Sequence, residues 1–364
     1  MSKIKTIAFY LPQFHPIPEN DDWWGKGFTE WTNVAKAKPM FKGHYQPHVP
    51  ADLGFYDLRL PESRKAQADL AKQYGISAFC YWHYWFGNGK RILERPFNEV
   101  LESGEPDFPF CLAWANETWS GIWHGLTNKI LAEQIYPGEE DYIAHFEFLV
   151  KAFKDHRYFK VNGKPLFMVY KPMEIPDLKL FVNTFRRLAK EHNLEGIHLV
   201  ATNVDPDWDA KAYGFDALTP AVHTKNEYLR SENSFVDFWR RIKQSRLSSY
   251  YKKIFKRPVR IYNYADAIQN FDEEHGDNIY YPTVIPNWDN SPRSGVNGFV
   301  LKNSTPELFE KALRNAKKLV SKYDDDNKIV FIKSWNEWAE GNHLEPDLKF
   351  GHQYLQVVKK VVEE

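Results

Sequence analysis

The stretch Ile329-Val330-Phe331-Ile332-Lys333-Ser334-Trp335-Asn336-Glu337-Trp338-Ala339-Glu340-Gly341 decides how this chain is read. Its first four residues form a continuous apolar run, the pattern of a strand buried on both faces. Two carboxylates three residues apart, with an Asn and two Trp interleaved, follow where that strand ends. In a barrel of parallel strands this is the end that carries chemistry. The residue types suit sugars: indole faces stack on the C–H faces of pyranose rings, while carboxylates and amides bind hydroxyls and move protons. Trp and Glu at a strand end can also simply pack and cap the next helix, so the pair has to be weighed with its surroundings.

Outward from this segment the same grammar repeats. Apolar runs that read as strands are Ile4–Leu11, Ala78–Trp85, Phe108–Ala115, Pro165–Tyr170, Ile197–Thr202, Ala217–Val222, Tyr281–Ile285 and Ile329–Trp335. Helical stretches fall between most of them, at Pro61–Tyr74, Glu139–Phe153, Asp177–His192 and Pro306–Tyr323, with His352–Val362 last. Pro61-Glu62 and Pro306-Glu307 are good helix starts, with Pro in the first turn and an acid near the positive end of the dipole. The expected fold is α/β: a (β/α)8 TIM barrel forming one domain over residues 1–364, with a long helical insertion at about 223–279 between strands six and seven. An open doubly wound sheet shares the alternation. It would need a Gly-rich phosphate loop after the first strand, where this chain has Pro12-Gln13-Phe14-His15.

Composition narrows the function. Lys+Arg and Asp+Glu balance at 48 each, so no global charge points to nucleic acid. Aromatic residues make up 16% of the chain, enough to line a carbohydrate cleft as well as fill a core. Cys80 and Cys111 lie inside apolar runs and read as reduced core thiols. No signal-peptide pattern and no run of membrane-spanning length is seen, so the cytoplasm is the expected address.

Polar and aromatic residues gather just past the strand runs. The candidate substrate-binding residues are Tyr10 and Gln13 after the first strand, then Trp24, Glu30 and Trp31 in the loop that follows. His83 and Trp85 come from the second strand, and Trp114, Asn116 and Glu117 from the third. Trp288 and Asp289 follow the seventh, and Trp335 and Asn336 lead into the candidate catalytic pair Glu337 and Glu340. Any one cluster could be packing; their convergence on one predicted face argues for a cleft.

The motifs Phe9-Tyr10-Leu11-Pro12-Gln13-Phe14-His15-Pro16, Trp23-Trp24-Gly25-Lys26-Gly27-Phe28-Thr29-Glu30-Trp31, Pro109-Phe110-Cys111-Leu112-Ala113-Trp114-Ala115-Asn116-Glu117 and Trp335-Asn336-Glu337-Trp338-Ala339-Glu340-Gly341 resemble the WbsX-type proteins. These are labelled glycosyltransferases of bacterial surface-polysaccharide gene clusters and are glycoside hydrolase family 99-like. Likeness to the endo-α-1,2-mannosidases of that hydrolase family is weaker, and clearest in Asn336-Glu337-Trp338-Ala339-Glu340-Gly341. The resemblance implies a (β/α)8 barrel in which Glu337 is a base toward the substrate's own 2-hydroxyl. That hydroxyl attacks the anomeric carbon, giving a 1,2-anhydro sugar and overall retention. Glu340 is then the general acid, later the base that activates water, and its pKa is expected to be raised. The hydrolases usually carry His where this chain has Ala339, and their first-strand motif differs from Tyr10-Leu11-Pro12-Gln13. The mannose preference and the number of subsites therefore do not carry over automatically.

Retaining cleavage of a glycan is the leading expectation. A glycosyltransferase would send the same intermediate to a sugar acceptor, and a carbohydrate-binding barrel would have lost turnover. Oligosaccharide or polysaccharide is the expected partner, with no cofactor and no metal. His44 and His48 are four apart, but Pro47 breaks any helix between them, and turn packing or hydroxyl binding outweighs metal ligation. Residues 239–260 hold nine Lys or Arg and no acid. They read first as a solvated helical face, second as a dock for an anionic glycan, a lipid-linked substrate or a membrane surface. Asp205-Pro206-Asp207 has the spacing of a nucleotide-sugar metal motif without its context, and Asp324-Asp325-Asp326 reads as a turn.

Overall fold

A computed structural model describes residues 3–121, 130–205, 208–220, 252, 254–258, 260–270 and 277–364. Eight parallel strands form its centre: β1 (Lys5–Tyr10), β2 (Ala78–His83), β3 (Phe110–Trp114), β4 (Lys164–Val169), β5 (His198–Ala201), β6 (Ala217–Leu218), β7 (Thr283–Val284) and β8 (Ile329–Ile332). Each matches one of the eight apolar runs. Neighbours in sequence pair in order from β1 to β6, while β8 lies between β1 and β7. The circle closes through a parallel bridge from Leu218 to Tyr280. There the Leu218 amide donates to the Ile279 carbonyl and the Tyr281 amide to the Leu218 carbonyl, both at 2.8 Å. Closure removes the exposed edges of an open sheet. It also leaves both faces of every strand covered, which is why β8 and its neighbours read as unbroken apolar runs rather than alternating ones.

Helices coat the barrel: α1 (Pro61–Gln73), α2 (Arg95–Ser103), α3 (Glu139–Phe153), α4 (Leu178–Glu191), α5 (Pro306–Val320) and α6 (Gln353–Glu363). Local sequence explains their starts. The Asp177 side chain caps α4 by accepting from the Leu180 amide at 2.9 Å, and Thr305 caps α5 ahead of Pro306. Helix α5 buries Phe309, Ala312, Leu313, Ala316 and Val320, a three-and-four spacing that presents one apolar stripe to the strands. The sequence reading has no helix at α2, whose nine residues are too few for a clear period. Cys80 and Cys111 are buried, unbridged partners across β2 and β3.

Most of the expected insertion, including residues 239–251, 253 and 259 of the basic segment, lies outside the described residues, as do residues 206–207 of the Asp-Pro-Asp motif. The described end of the insertion is not all helical. Arg260–Asn263 is a strand that pairs in parallel with Phe299–Lys302, which in turn pairs antiparallel with Trp288–Asp289. This small sheet sits past the C-terminal ends of the barrel strands and holds Trp288 in place. Among the described residues no helix is long and apolar enough to cross a membrane.

Candidate active site

A cavity of about 460 Å³ opens where the barrel strands end. Gln13 lines it from beyond β1, Trp82 and Tyr84 from the end of β2, and Glu117 from beyond β3. Tyr170 and Asn203 contribute from beyond β4 and β5, and Trp288 and Arg293 from beyond β7. Trp24 and Glu30 come from the first loop, and Lys333, Glu337 and Glu340 from the chain after β8. Both carboxylates of the Asn-Glu-Trp-Ala-Glu segment therefore face one cleft.

The chain after β8 folds back on itself to hold them. Asn336–Glu337 pairs antiparallel with Asn342–His343, with the turn Trp338–Glu340 between. Gly341 closes that turn at φ 68°, and a Cβ there would meet the Asp289 backbone nitrogen at 3.0 Å, so only glycine fits. The Glu337 amide donates to Ser334 Oγ at 2.8 Å, and Asn336 is tied on both sides to the Leu11 backbone, at 2.7 and 3.0 Å. Behind the turn, buried Glu345 accepts from Trp338 Nε1 at 2.6 Å, Gln67 Nε2 at 2.7 Å and the Tyr56 hydroxyl at 2.9 Å. These bonds tie the turn to the end of β1, to α1 and to the loop before α1, so the two cleft carboxylates sit on a fixed base.

The electrostatics set them apart. Glu337 Oε1 accepts from Trp82 Nε1 at 2.9 Å, and Lys333 Nζ lies 3.7 Å from Oε2. Burial pushes the Glu337 carboxyl up to about 7, with the Glu340 charge adding to it and Lys333 opposing it. Glu340 is half-buried; Arg293 Nη1 donates to its Oε1 at 2.6 Å, and Arg293 together with Lys333 holds it below the usual carboxylate range. The same guanidinium donates Nε to Glu30 Oε2 at 3.0 Å. The expectation that Glu340 carries the raised pKa is thus corrected: the raised carboxyl of the pair is Glu337 and the lowered one is Glu340. The difference comes from Arg293, which sits on Glu340 rather than between the two.

Of the substrate-binding candidates, Gln13, Trp24, Glu30, Glu117 and Trp288 reach the cleft. The others do not, and mostly for one reason: successive side chains on an extended chain point to opposite sides. Trp82 and Tyr84 face the cleft, so His83 and Trp85 face the outer helices, where His83 Nε2 meets His145 Nε2 at 2.9 Å and Trp85 Nε1 donates to Asp141 at 3.1 Å. Ala115 and Glu117 face in; Trp114 is buried against Phe181 of α4, and Asn116 ties the backbone of Lys171. Leu11 and Gln13 face in; the Tyr10 hydroxyl donates to Gln67 on α1 at 2.6 Å. Trp335 is fully buried against Phe79, and Asn336 is spent on Leu11. Trp31 packs among Phe14, Tyr56 and Trp338 and donates Nε1 to the Tyr56 carbonyl at 2.7 Å. Asp289 turns away to accept from His44 Nε2 at 2.6 Å and Gln46 Nε2 at 2.8 Å. The sequence reading misses Trp82, Tyr84, Tyr170, Lys333 and Arg293 as cleft residues. Parity along β2 puts Trp82 and Tyr84 on one side and His83 and Trp85 on the other without saying which side faces the cleft, and nothing local marks Arg293.

The sequence profile of the family described as Glycosyltransferase WbsX matches residues 6–358. Two curated relatives, both described as uncharacterized protein WxcX and from strains of Xanthomonas campestris pv. campestris, are 36% identical over 369 residues, covering 98% of this chain. The chain spans about half the length of these relatives, 49%. A solved structure described as a glycoside hydrolase-like protein superposes with a TM-score of 0.59 at 16% identity, over 100% of this chain and 94% of that one. The GH99 endo-alpha-mannosidase from Bacteroides thetaiotaomicron also gives 0.59, at 14% identity over 99% of this chain and 96% of its own. At these identities the likeness speaks for the barrel alone. The profile match over nearly the whole chain and the relatives' identity go further: the chain belongs to the WbsX glycosyltransferase family.

Proposed function

We propose that this chain is a glycan-active enzyme that cleaves or transfers an α-linked, mannose-configured glycosyl unit with retention, using Glu337 and Glu340. The observation that carries the reading is the carboxylate pair, with Glu337 raised by burial and Glu340 lowered by Arg293, in an indole-lined cleft at the C-terminal end of the barrel. A pure carbohydrate binder gains nothing from holding two carboxylates in an apolar setting that penalises their charge.

One proton shared by the pair is what the chemistry needs. A substrate 2-hydroxyl that donates to Glu337 stabilises its anion, so the proton moves to Glu340 with no change in net charge. Glu337 then takes the 2-hydroxyl proton as that oxygen attacks the anomeric carbon. Glu340 delivers its proton to the departing glycosidic oxygen, and a 1,2-anhydro sugar results. Opening by water or a sugar hydroxyl returns one proton to Glu340 and releases the other from Glu337 to the 2-oxygen. Two inversions at one carbon give retention.

Hydrolysis and transfer differ only in what opens the intermediate. Membership of a glycosyltransferase family favours transfer, which we place within polysaccharide biosynthesis in the cytoplasm, and the barrel shared with an endo-alpha-mannosidase favours hydrolysis. The Lys/Arg-rich residues 239–260 are proposed to dock an anionic glycan, a lipid-linked substrate or the membrane surface. The deciding experiment incubates the protein with aryl α-mannosides, aryl α-rhamnosides and defined oligosaccharides, with and without nucleotide sugars. Products are read by NMR for anomeric configuration. Retained products that disappear in Glu337→Gln and Glu340→Gln support the reading; inverted products, or turnover unchanged in both variants, overturn it.

A further inference from the structure

Behind the cleft, on the far side of the Glu337 turn, three buried side chains from three segments converge. His48 comes from the loop before α1, His343 from the ribbon strand that pairs with Asn336, and Asp347 from the loop before α6. One ligand atom from each lies within 4.8 Å of the other two. His48 Nδ1 stands 2.9 Å from His343 Nε2, which is 4.0 Å from Asp347 Oδ2. We propose that His48, His343 and Asp347 form a structural site for a divalent transition ion of the zinc type, a function no relative's description assigns.

The donor set is that of a zinc site, two imidazoles and a carboxylate, and tetrahedral ligation at about 2.0–2.1 Å puts ligand atoms about 3.3 Å apart, a value that the 2.9 and 4.0 Å separations bracket. Two of the three donors are already aimed, and His48 Nδ1, which donates to His343 Nε2 here, would ligate once its proton moves to Nε2. His343 Nδ1 lies 2.9 Å from the Glu345 carbonyl, so that nitrogen holds the proton and Nε2 presents its lone pair to the cluster. Asp347 Oδ1 accepts the Lys349 and Phe350 amides at 3.0 and 2.6 Å, which leaves Oδ2 facing His343 with the Tyr45 hydroxyl 3.1 Å away. A cavity of about 80 Å³ adjoins the three and is lined by Tyr45 and by His44, itself engaged by Asp289.

The ion would staple three segments that backbone contacts already bring together. Ala51 donates to the Pro346 carbonyl and Leu348 to the Val49 carbonyl, both at 2.9 Å. His343 also stacks on Trp338 with centroids 3.7 Å apart, so the site touches the turn that presents Glu340. Its role is to hold that turn, not to meet a substrate.

The test needs no activity assay. The protein is stripped with EDTA, dialysed, and titrated with Zn2+ while thermal unfolding and elemental content are followed; a second sample receives Co2+ for its visible spectrum. The expected result is one zinc retained per chain and a Tm higher by roughly 4 °C at a hundredfold excess over the dissociation constant. Cobalt should give the intense bands of a low-coordinate nitrogen-rich site. His48→Gln, which keeps a hydrogen-bond donor beside His343, and Asp347→Asn should lose all three signals while keeping the circular dichroism of the stripped wild type. Wild-type protein that retains no zinc, shows no Tm shift and gives only the spectrum of hydrated cobalt overturns the proposal, as does zinc bound equally by His48→Gln. The wild-type titration decides the matter even where a variant does not fold.

Discussion

Arg293 donates Nη1 to Glu340 Oε1 across 2.6 Å, and with Nε it reaches Glu30 on the opposite wall at 3.0 Å. A half-buried cation is thereby shared by buried Glu30 and half-buried Glu340 from distant parts of the chain. Replacing Arg293 by Met would leave Glu30 without a counter-charge and Glu340 with Lys333 alone, and we expect destabilisation of about 3–5 kcal/mol in urea unfolding. Glu30→Gln added to Arg293→Met should restore about 0.5–3 kcal/mol of that loss, because one of the stranded charges is gone. Strictly additive losses would show that the arginine does not couple to Glu30.

The pH dependence follows from the proton on Glu337. The working pair carries one proton, a state that begins once Glu340 ionises, below the usual range, and ends when Glu337 loses its proton near 7. The rate parameter kcat/KM, which reports the free enzyme, should therefore be level in mildly acid solution and fall above pH 7, about tenfold per unit. A profile that stays flat to alkaline pH would place the essential proton elsewhere.

Trp82 sets the Glu337 side chain through one bond, Nε1 to Oε1 at 2.9 Å, while its ring stacks on Phe9 with centroids 4.9 Å apart. Trp82→Phe keeps much of the stacking and removes the donor. A hydrogen bond to a charged group is worth about 1.5–3 kcal/mol, so turnover should fall by roughly 10- to 150-fold. The melting temperature should move little. A fall in Tm with turnover unchanged would make Trp82 a packing residue only.

How much of this was legible from the sequence depends on which interaction fixes each residue. The eight strands were readable because burial on both faces writes each as an unbroken apolar run, as in Ile329-Val330-Phe331-Ile332. That same burial hides direction. In Tyr81-Trp82-His83-Tyr84-Trp85 every residue is aromatic, so no polar–apolar alternation marks which side faces the cleft, and His83 and Trp85 are easily taken for binding residues. Glu337 and Glu340 stand out because two acids beside a buried run are costly unless used. Arg293 does not, since its partners Glu30 and Glu340 lie 263 and 47 residues away and no local pattern links them. The two histidine clusters are equally non-local: His44 finds Asp289 and His48 finds His343 only after the barrel closes.

The last prediction separates cleft indoles from core indoles. Trp288 lines the cleft, its ring lies 5.2 Å from Lys333 Nζ, and its buried Nε1 has no hydrogen-bond partner among the described residues. A stacked sugar with a hydroxyl at that nitrogen would use both features. Trp85, by contrast, is stacked on His145 at 4.6 Å and bonded to Asp141. Trp288→Ala should weaken glycan binding by about 1–3 kcal/mol, or roughly 5- to 150-fold in Kd. Trp85→Ala should cost about 3–5 kcal/mol of stability, the range for truncating a buried aromatic. Binding of the surviving folded protein should then be near wild type. A calorimetric titration beside a thermal melt on each variant reads both quantities. If Trp288→Ala binds glycan as tightly as wild type but melts as early as Trp85→Ala, Trp288 belongs to the core and the cleft's sugar platform must be sought at Trp24 or Trp82.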